Sequence, residues 1–582
     1  MKKLIVLLLI VSSAVFAQKV HLKIIETTDT HGSIFPYDFM ENAPDNHSLA
    51  QILTYVKEQR VDKSQGVLLF SDGDLLQGTP DVYYYNYIDT TGKHLYAEVM
   101  NYMKYDVGTV GNHDIETGHK VYDKFSKELN FPWLAANAIR EDNGKPYFQP
   151  YWVTKKNGVK IAVLGMTTPG IPNWLPKILW TNIYFADMVE TAKKWVPIIQ
   201  KKEHPDLLIG LFHSGVDPYY NGAKKLYLNE NASRLVAEQV PGFDIVFVGH
   251  DHHGWNFSVK NSAGDSVKII GGTHAALVFG VADVYLTKTE SGWKKEIKSK
   301  LVESKNYKPD AGFMKRFSEQ FNKIKTWVNK PIGEFTETIS SEDALFGESK
   351  FVDLVQRLQL KISGAQLSFA SPLSMRAKIK KGKIYVRDMF KLYHYENFLY
   401  TMKLRGSEIK GFLEYSASIW FNKMKSPEDH LLRFKYDDSG KMEISERNNR
   451  PRLYAPFYNF ASAAGIKYSV DVTKPENHRI NIISLADGKP FDMNKFYTVA
   501  INSYRGNGGG GHLVRGAGIP HDSLSSRIVK STDRDLRFLM MKWIEKTGKV
   551  TPPFFGNWKI IPEKYAEKGK LTDYKLLFGQ IN

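Results

Sequence analysis

Short apolar runs, each closed by a polar cluster, fill the first half of the chain and constrain its fold more than any other feature. They read VHLKIIETTDTHG, GVLLFSDGDLLQG, DVGTVGNHD, VKIAVLGMTTPG, DLLIGLFHSG and FDIVFVGHDHHG. Each run has the length of a buried strand, and helix-compatible stretches such as residues 49–59 lie between several of them. Strand and helix in alternation predict an α/β layered domain whose sheet is covered by helices. In such domains the chemistry gathers on loops at the carboxyl ends of strands. There the chain repeatedly places Asp, Asn and His: Asp29 and His31, Asp74, Asn112 and His113, His213, then His250 and His252.

This alternation fades near residue 300. Residues 311–330 carry apolar side chains at helical spacing with Lys between them, which predicts a connecting helix. A second region follows, with its own strand-like segments (KIYVRDMF, LYTMKL, YSVDV, FYTVAIN) and glycines at every position of 508–511. At about 150 residues per domain, 582 residues allow two to four domains. The expected division is 18–305, a linker over 306–335, and 336–582. With 11 Trp, 31 Tyr and 33 Phe the chain is too aromatic for a disordered scaffold. After residue 17 no apolar run approaches the ~18 residues of a membrane span, which excludes a polytopic membrane protein.

The first 17 residues have the layout of a secretory signal peptide: Lys2 and Lys3, an apolar run over 4–11, then small residues up to Ala17. Cleavage after Ala17 and a periplasmic or secreted location are expected. The absence of cysteine excludes a disulfide framework and a lipid-bearing Cys after the signal. A net charge of +17 favours anionic partners such as nucleotides. The lysines are scattered, so no stable nucleic-acid or membrane partner is expected.

Asp, Asn and His are ligands suited to Zn²⁺, Mn²⁺ and similar cations. Asp29 and His31 lie two apart, so both can reach one ion from the end of a strand; His250 and His252 repeat that spacing. A lone loop His is usually a surface residue, but chance seldom delivers a ligand type at the end of one strand after another.

In their order, TDTHG, DGDLLQG, GNHD, HSG and GHDHH are similar to the signature blocks of the calcineurin-like binuclear metallophosphoesterases. With a signal peptide and a second domain, the chain resembles the secreted 5′-nucleotidase family. That resemblance implies a layered α/β/β/α sandwich followed by an α+β C-terminal nucleotidase domain. It implies two divalent metal ions of the Zn, Mn, Mg or Co class, one held by Asp29, His31, Asp74 and His252. Asp74, Asn112, His213 and His250 would hold the other, with Asp74 bridging. His253 and Asp72 match no family ligand. His113 resembles the family's catalytic histidine, and Glu116 stands where an acidic residue usually orients it. Two such ions clamp a phosphoryl group and activate a water for in-line attack.

In the second half, KLYHYENFLYTMKLRGSEIKGFLE, FYNFASAAGIKYSVDVTKP and VAINSYRGNGGGGH are similar to the 2′,3′-cyclic-nucleotide 2′-phosphodiesterase/3′-nucleotidase branch. By position, Tyr395 and Tyr504 would clamp the base, with Arg505, Gly508 and Gly509 completing the substrate site. Ala461 departs from the branch, which usually has Asp there. Read without the resemblance, the glycine tract permits either close backbone approach to a ligand or a flexible surface loop. The expected reaction is hydrolysis of a 2′,3′-cyclic nucleotide to the 3′-nucleotide, then to nucleoside and phosphate. A 5′-nucleotidase or UDP-sugar hydrolase is the second reading. A catalytically silent nucleotide- or nucleic-acid-binding protein, which need not retain metal, is the third. Neither the metal's identity nor the oligomeric state is written in these motifs.

Overall fold

A computed structural model of the protein describes residues 18–220, 226–290, 292–445 and 449–579. The expected signal peptide lies outside them. Two mixed sheets form the centre of the first domain. The first has the strand order Gly292–Glu303, Val278–Thr289, Lys19–Thr27, Gln65–Ser71, Val107–Thr109, Trp133–Leu134. The second runs Trp255–Lys260, Ser266–Gly271, Ile245–Val248, Leu207–His213, Val159–Thr167, Tyr151–Lys156. Their central strands pair in parallel, and the carboxyl ends of Lys19–Thr27, Gln65–Ser71, Leu207–His213 and Ile245–Val248 lead into the Asp/His loops.

Because those strands bury both faces, they read as continuous apolar runs rather than alternating ones. Leu22, Ile24, Leu68 and Phe70 of one sheet meet Ile161, Leu207, Ile209 and Phe247 of the other in an apolar layer between them. Helices cover each outer face. Leu49–Val61 and Leu95–Met103 pack on the first sheet, while Met188–Glu203 and Ser233–Gln239 pack on the second. The result is an α/β/β/α layered domain.

The connecting segment forms two helices, Ala311–Arg316 and Ser318–Val328, rather than the single one expected. They meet at Phe317, whose backbone leaves helical geometry. Phe313, Phe317, Ile324 and Val328 are buried against Phe35 and Phe39, so this segment belongs to the first domain's core.

In the second domain a mixed sheet runs Ser462–Ala464, Leu367–Ala370, Phe496–Asn502, Phe398–Arg405, Ile528–Asp535. Helices Lys350–Ser363 and Gly406–Trp420 pack against it, giving an α+β arrangement. The KIYVRDMF segment is a strand only over Gly382–Tyr385 and turns helical at Val386–Leu392. Asp388 accepts from Tyr385 N at 2.8 Å, and this cap starts a helix that the β-branched residues had masked.

Candidate metal centre and adjoining cleft

Five of the strand-end residues share an unusual backbone. Asp29, His31, Asp74, His250 and His252 all have positive φ. For residues other than glycine this left-handed conformation is costly, and it persists only where surrounding contacts hold it. Those contacts join loop to loop. Asp29 N donates to Gly73 O, and His31 N to Asp74 O. His250 N donates to the Asp29 carboxylate.

These turns bring the side chains into two groups: Asp29, His31 and His252, and Asp74, His213 and His250. Asn112, from the short helix Asn112–Glu116, joins the second; its Oδ1 lies 2.8 Å from His250 Nδ1 and 3.2 Å from His213 Nε2. His213 Nδ1 donates to Asp72 O, so in the neutral ring Nε2 presents a lone pair. That lone pair faces Asp74 Oδ2 at 3.1 Å as well as Asn112 Oδ1. In the first group His31 Nδ1 donates to Gln77 O, and its Nε2 stands 3.1 Å from His252 Nε2. Acceptors converging at these distances call for positive charge between them. The donor set of carboxylate, imidazole and amide oxygen fits divalent cations.

Electrostatics favours coordination at two of these rings. Burial, with a neighbouring imidazole, pushes His31 and His250 down to about 3, which leaves them neutral and able to coordinate. Burial also opposes charge on His213, but Asp74 and Asp29 outweigh it and raise that ring well above its usual range.

His113 lies beside the second group. Its Nδ1 is 2.5 Å from Glu116 Oε2, and its backbone N donates to Asp74 Oδ1 at 2.8 Å. Burial disfavours the charged ring here too, yet Asp74 and Glu116 raise it to about 9. With Nδ1–H held by Glu116, the charged imidazole has Nε2–H left to donate.

The substrate residues divide. The rings of Tyr395 and Tyr458 meet edge to face at 6.3 Å, and Tyr395 lies within electrostatic reach of Tyr504 and Glu116. Tyr504 starts the chain into the glycine tract, where Gly508 has φ +104 and a Cβ on Gly509 would stand 2.6 Å from the Tyr504 ring. The tract is therefore a tight, packed turn. Arg505 is buried, and its Nη atoms donate to Asn459 Oδ1, Gly509 O and Tyr458 O. So placed, it braces the turn against residues 458–459. Ala461 is buried in the second domain's core, exchanging two hydrogen bonds with Ser416.

Several residues that shape the site were not singled out by sequence. Asp114 accepts from the backbone N of Gly111, Asp74, Leu75 and Leu76 and ties two ligand loops together. Asp251 holds the last loop through Val216 N and Trp255 Nε1. Both lie inside quoted motifs, GNHD and GHDHH, which was the available signal. Trp174, 5.5 Å from the His250 ring, accepts from Asn507 Nδ2 at 3.3 Å and so links metal centre to glycine tract. Tyr458 lies inside the quoted FYNFASAAGIKYSVDVTKP segment, whereas Trp174 carried no local signal.

Comparison with known families agrees with this geometry. The calcineurin-like phosphoesterase profile matches residues 22–254, and the 5′-nucleotidase C-terminal domain profile matches 331–515. The chain belongs to the two-domain calcineurin-like phosphoesterase and 5′-nucleotidase family. A 2′,3′-cyclic-nucleotide 2′-phosphodiesterase/3′-nucleotidase of Haemophilus influenzae is 27% identical over 93% of this chain and 88% of its own. The trifunctional nucleotide phosphoesterase YfkN of Bacillus subtilis is also 27% identical over 94% of this chain, which spans only 39% of that protein. The fold matches the 5′-nucleotidase precursor of Thermus thermophilus, with TM-score 0.61 at 20% identity over 93% of this chain and 100% of the other. Among the described residues, no helix is long and apolar enough to cross a membrane.

Proposed function

We propose that this member of the family, a phosphoric ester hydrolase, acts on nucleotides, taking 2′,3′-cyclic nucleotides to 3′-nucleotides and then to nucleoside and phosphate. The observation that carries this reading is the meeting of two Asp/His groups with a His113 held by Glu116, with Tyr395 of the second domain within electrostatic reach of Glu116. Asp29, His31 and His252 would hold one divalent cation; Asn112, His213 and His250 would hold the other, with Asp74 shared. Such a pair supplies Lewis-acid charge and a nucleophile at neutral pH. His113 donates from Nε2 to a phosphoryl or leaving-group oxygen, while Glu116 fixes its ring and favours its charged form. Tyr395 and Tyr504 would hold the base, since stacking suits any nucleobase. Residues 1–17 would direct the chain to the periplasm or the medium.

A 5′-nucleotidase is the second reading. The 5′-nucleotidase of Vibrio cholerae is 25% identical over 68% of this chain and 76% of its own. Phosphate release from 2′,3′-cyclic AMP, 3′-AMP and 5′-AMP, with metal-depleted protein as control, separates these readings. Faster, metal-dependent release from the first two is expected. Fastest release from 5′-AMP would favour the second reading, and no metal-dependent release at all would favour a silent binder.

A further inference from the structure

The helix Leu536–Thr547 opens with a side chain for which the chemistry above has no use. Arg537 is 2% exposed, yet it reaches the loop that carries Tyr395. Its Nε donates to Tyr393 O at 2.9 Å, and its Nη2 donates to His394 O. Its guanidinium also covers two rings, Phe390 at 4.1 Å and Tyr83 at 4.8 Å. Tyr83 belongs to the first domain, on the helix Pro80–Tyr87 that follows the DGDLLQG block. Its hydroxyl donates to Asp535 Oδ2 at 2.9 Å, and Asp535 in turn caps the Arg537 helix through Phe538 N.

Two routes lead from this guanidinium to the tyrosines of the cleft. One is direct, because the carbonyl held by Nη2 belongs to the residue before Tyr395. The other passes through Tyr393, whose hydroxyl accepts from Asn502 Nδ2 at 3.2 Å. Asn502 Oδ1 then caps the short helix Ser503–Gly506, which carries Tyr504, by accepting from Arg505 N at 2.9 Å. A planar fork can hold two carbonyls at once in a fixed orientation, which a lysine ammonium cannot. Freed of it, buried carbonyls would be left unpaired, and the loop would shift to satisfy them.

We propose that Arg537 is a positioning residue for the nucleoside end of the substrate. Its fork sets the backbone at Tyr393 and His394, and through it the placement of Tyr395 and Tyr504 opposite the first domain. This rests on the nucleotide reading above. The test is adenosine binding by calorimetry to the full, metal-loaded chain, beside its turnover of p-nitrophenyl phosphate and its metal content. Arg537→Lys is expected to weaken adenosine about tenfold, the scale of one lost base stack, with aryl phosphate turnover and metal content unchanged. Unchanged adenosine affinity overturns the inference, as does a parallel loss of aryl phosphate turnover, the mark of a general structural role. Should Arg537→Lys fail to fold, Tyr393→Phe decides through a single hydroxyl: weaker adenosine supports the inference and unchanged binding overturns it. A wild-type chain that binds no nucleoside overturns the nucleotide reading as well, a result distinct from a wild type and variant that bind equally.

Discussion

Within one buried cluster, neighbours drive chemically identical imidazoles in opposite directions. His31 and His250 fall to about 3 because burial and adjacent imidazoles oppose their charge. His113, equally hemmed in, rises to about 9 because Asp74 and Glu116 stand next to it. Environment rather than residue type thus sets the charge of each ring. His113→Ala is expected to lower turnover by roughly 10²–10⁴, the usual effect of losing a positioned acid or charge stabiliser. Metal content should be retained, since the neighbouring Asn112, not His113, faces the second group. Loss of metal on elemental analysis would show His113 to be a ligand instead.

At the next scale, turns rather than strands shape both halves of the site. Left-handed residues at the strand ends point the ligands inward, and carboxylates such as Asp114 hold those turns from behind. The glycine tract is the counterpart in the second domain. Gly510 has φ +70, and a Cβ there would overlap Arg505 Nη1 and stand 2.6 Å from Asn459 Oδ1. Arg505 cannot swing away, because backbone carbonyls of Tyr458 and Gly509 hold it. Gly510→Ala is therefore expected to destabilise the second domain by about 2 kcal/mol or more, from left-handed strain plus the clash. Denaturant unfolding would register it, and a variant as stable as wild type would show the turn to be loosely held.

Across the whole molecule, the two domains meet on buried polar groups as well as apolar ones, as where Tyr83 of the first donates to Asp535 of the second, close to a buried ion pair of the second domain. Glu396 is 5% exposed and faces Arg537 Nη1 at 3.5 Å. Burial dominates, and pushes its carboxyl from 4.5 up to about 8 despite the guanidinium. A carboxyl whose pKa rises on folding stabilises the fold fully below its unfolded value, and that contribution is lost as pH climbs through the folded value. The Glu396 contribution should therefore decline between about pH 4.5 and pH 8. Glu396→Gln keeps the shape and cannot ionise, so its melting temperature should fall less than that of wild type across this window. Parallel melting curves at both ends of the window would remove Glu396 from the pH response.

The sequence alone determined the layers and the placement of Asp and His at strand ends, because both are local. Apolar runs such as VKIAVLGM and DLLIGLFH can only be strands buried on both faces, and Asp29, Asp74, His213 and His250 stand where such strands end. The helical second half of KIYVRDMF follows from the local cap at Asp388, but the kink at Phe317 and the bracing of Arg505 against residues 458–459 were set by partners farther along the chain. Phe317 bends its helix to reach the first domain's core, and Arg505 finds its carbonyls on residues 458 and 509. Only tertiary structure could assemble Trp174 with Asn507, or Arg537 with Tyr83 and the Tyr395 loop. Those partners lie more than a hundred residues apart, two of the pairs across the domain interface, and no periodicity or spacing rule reaches that far to foresee them.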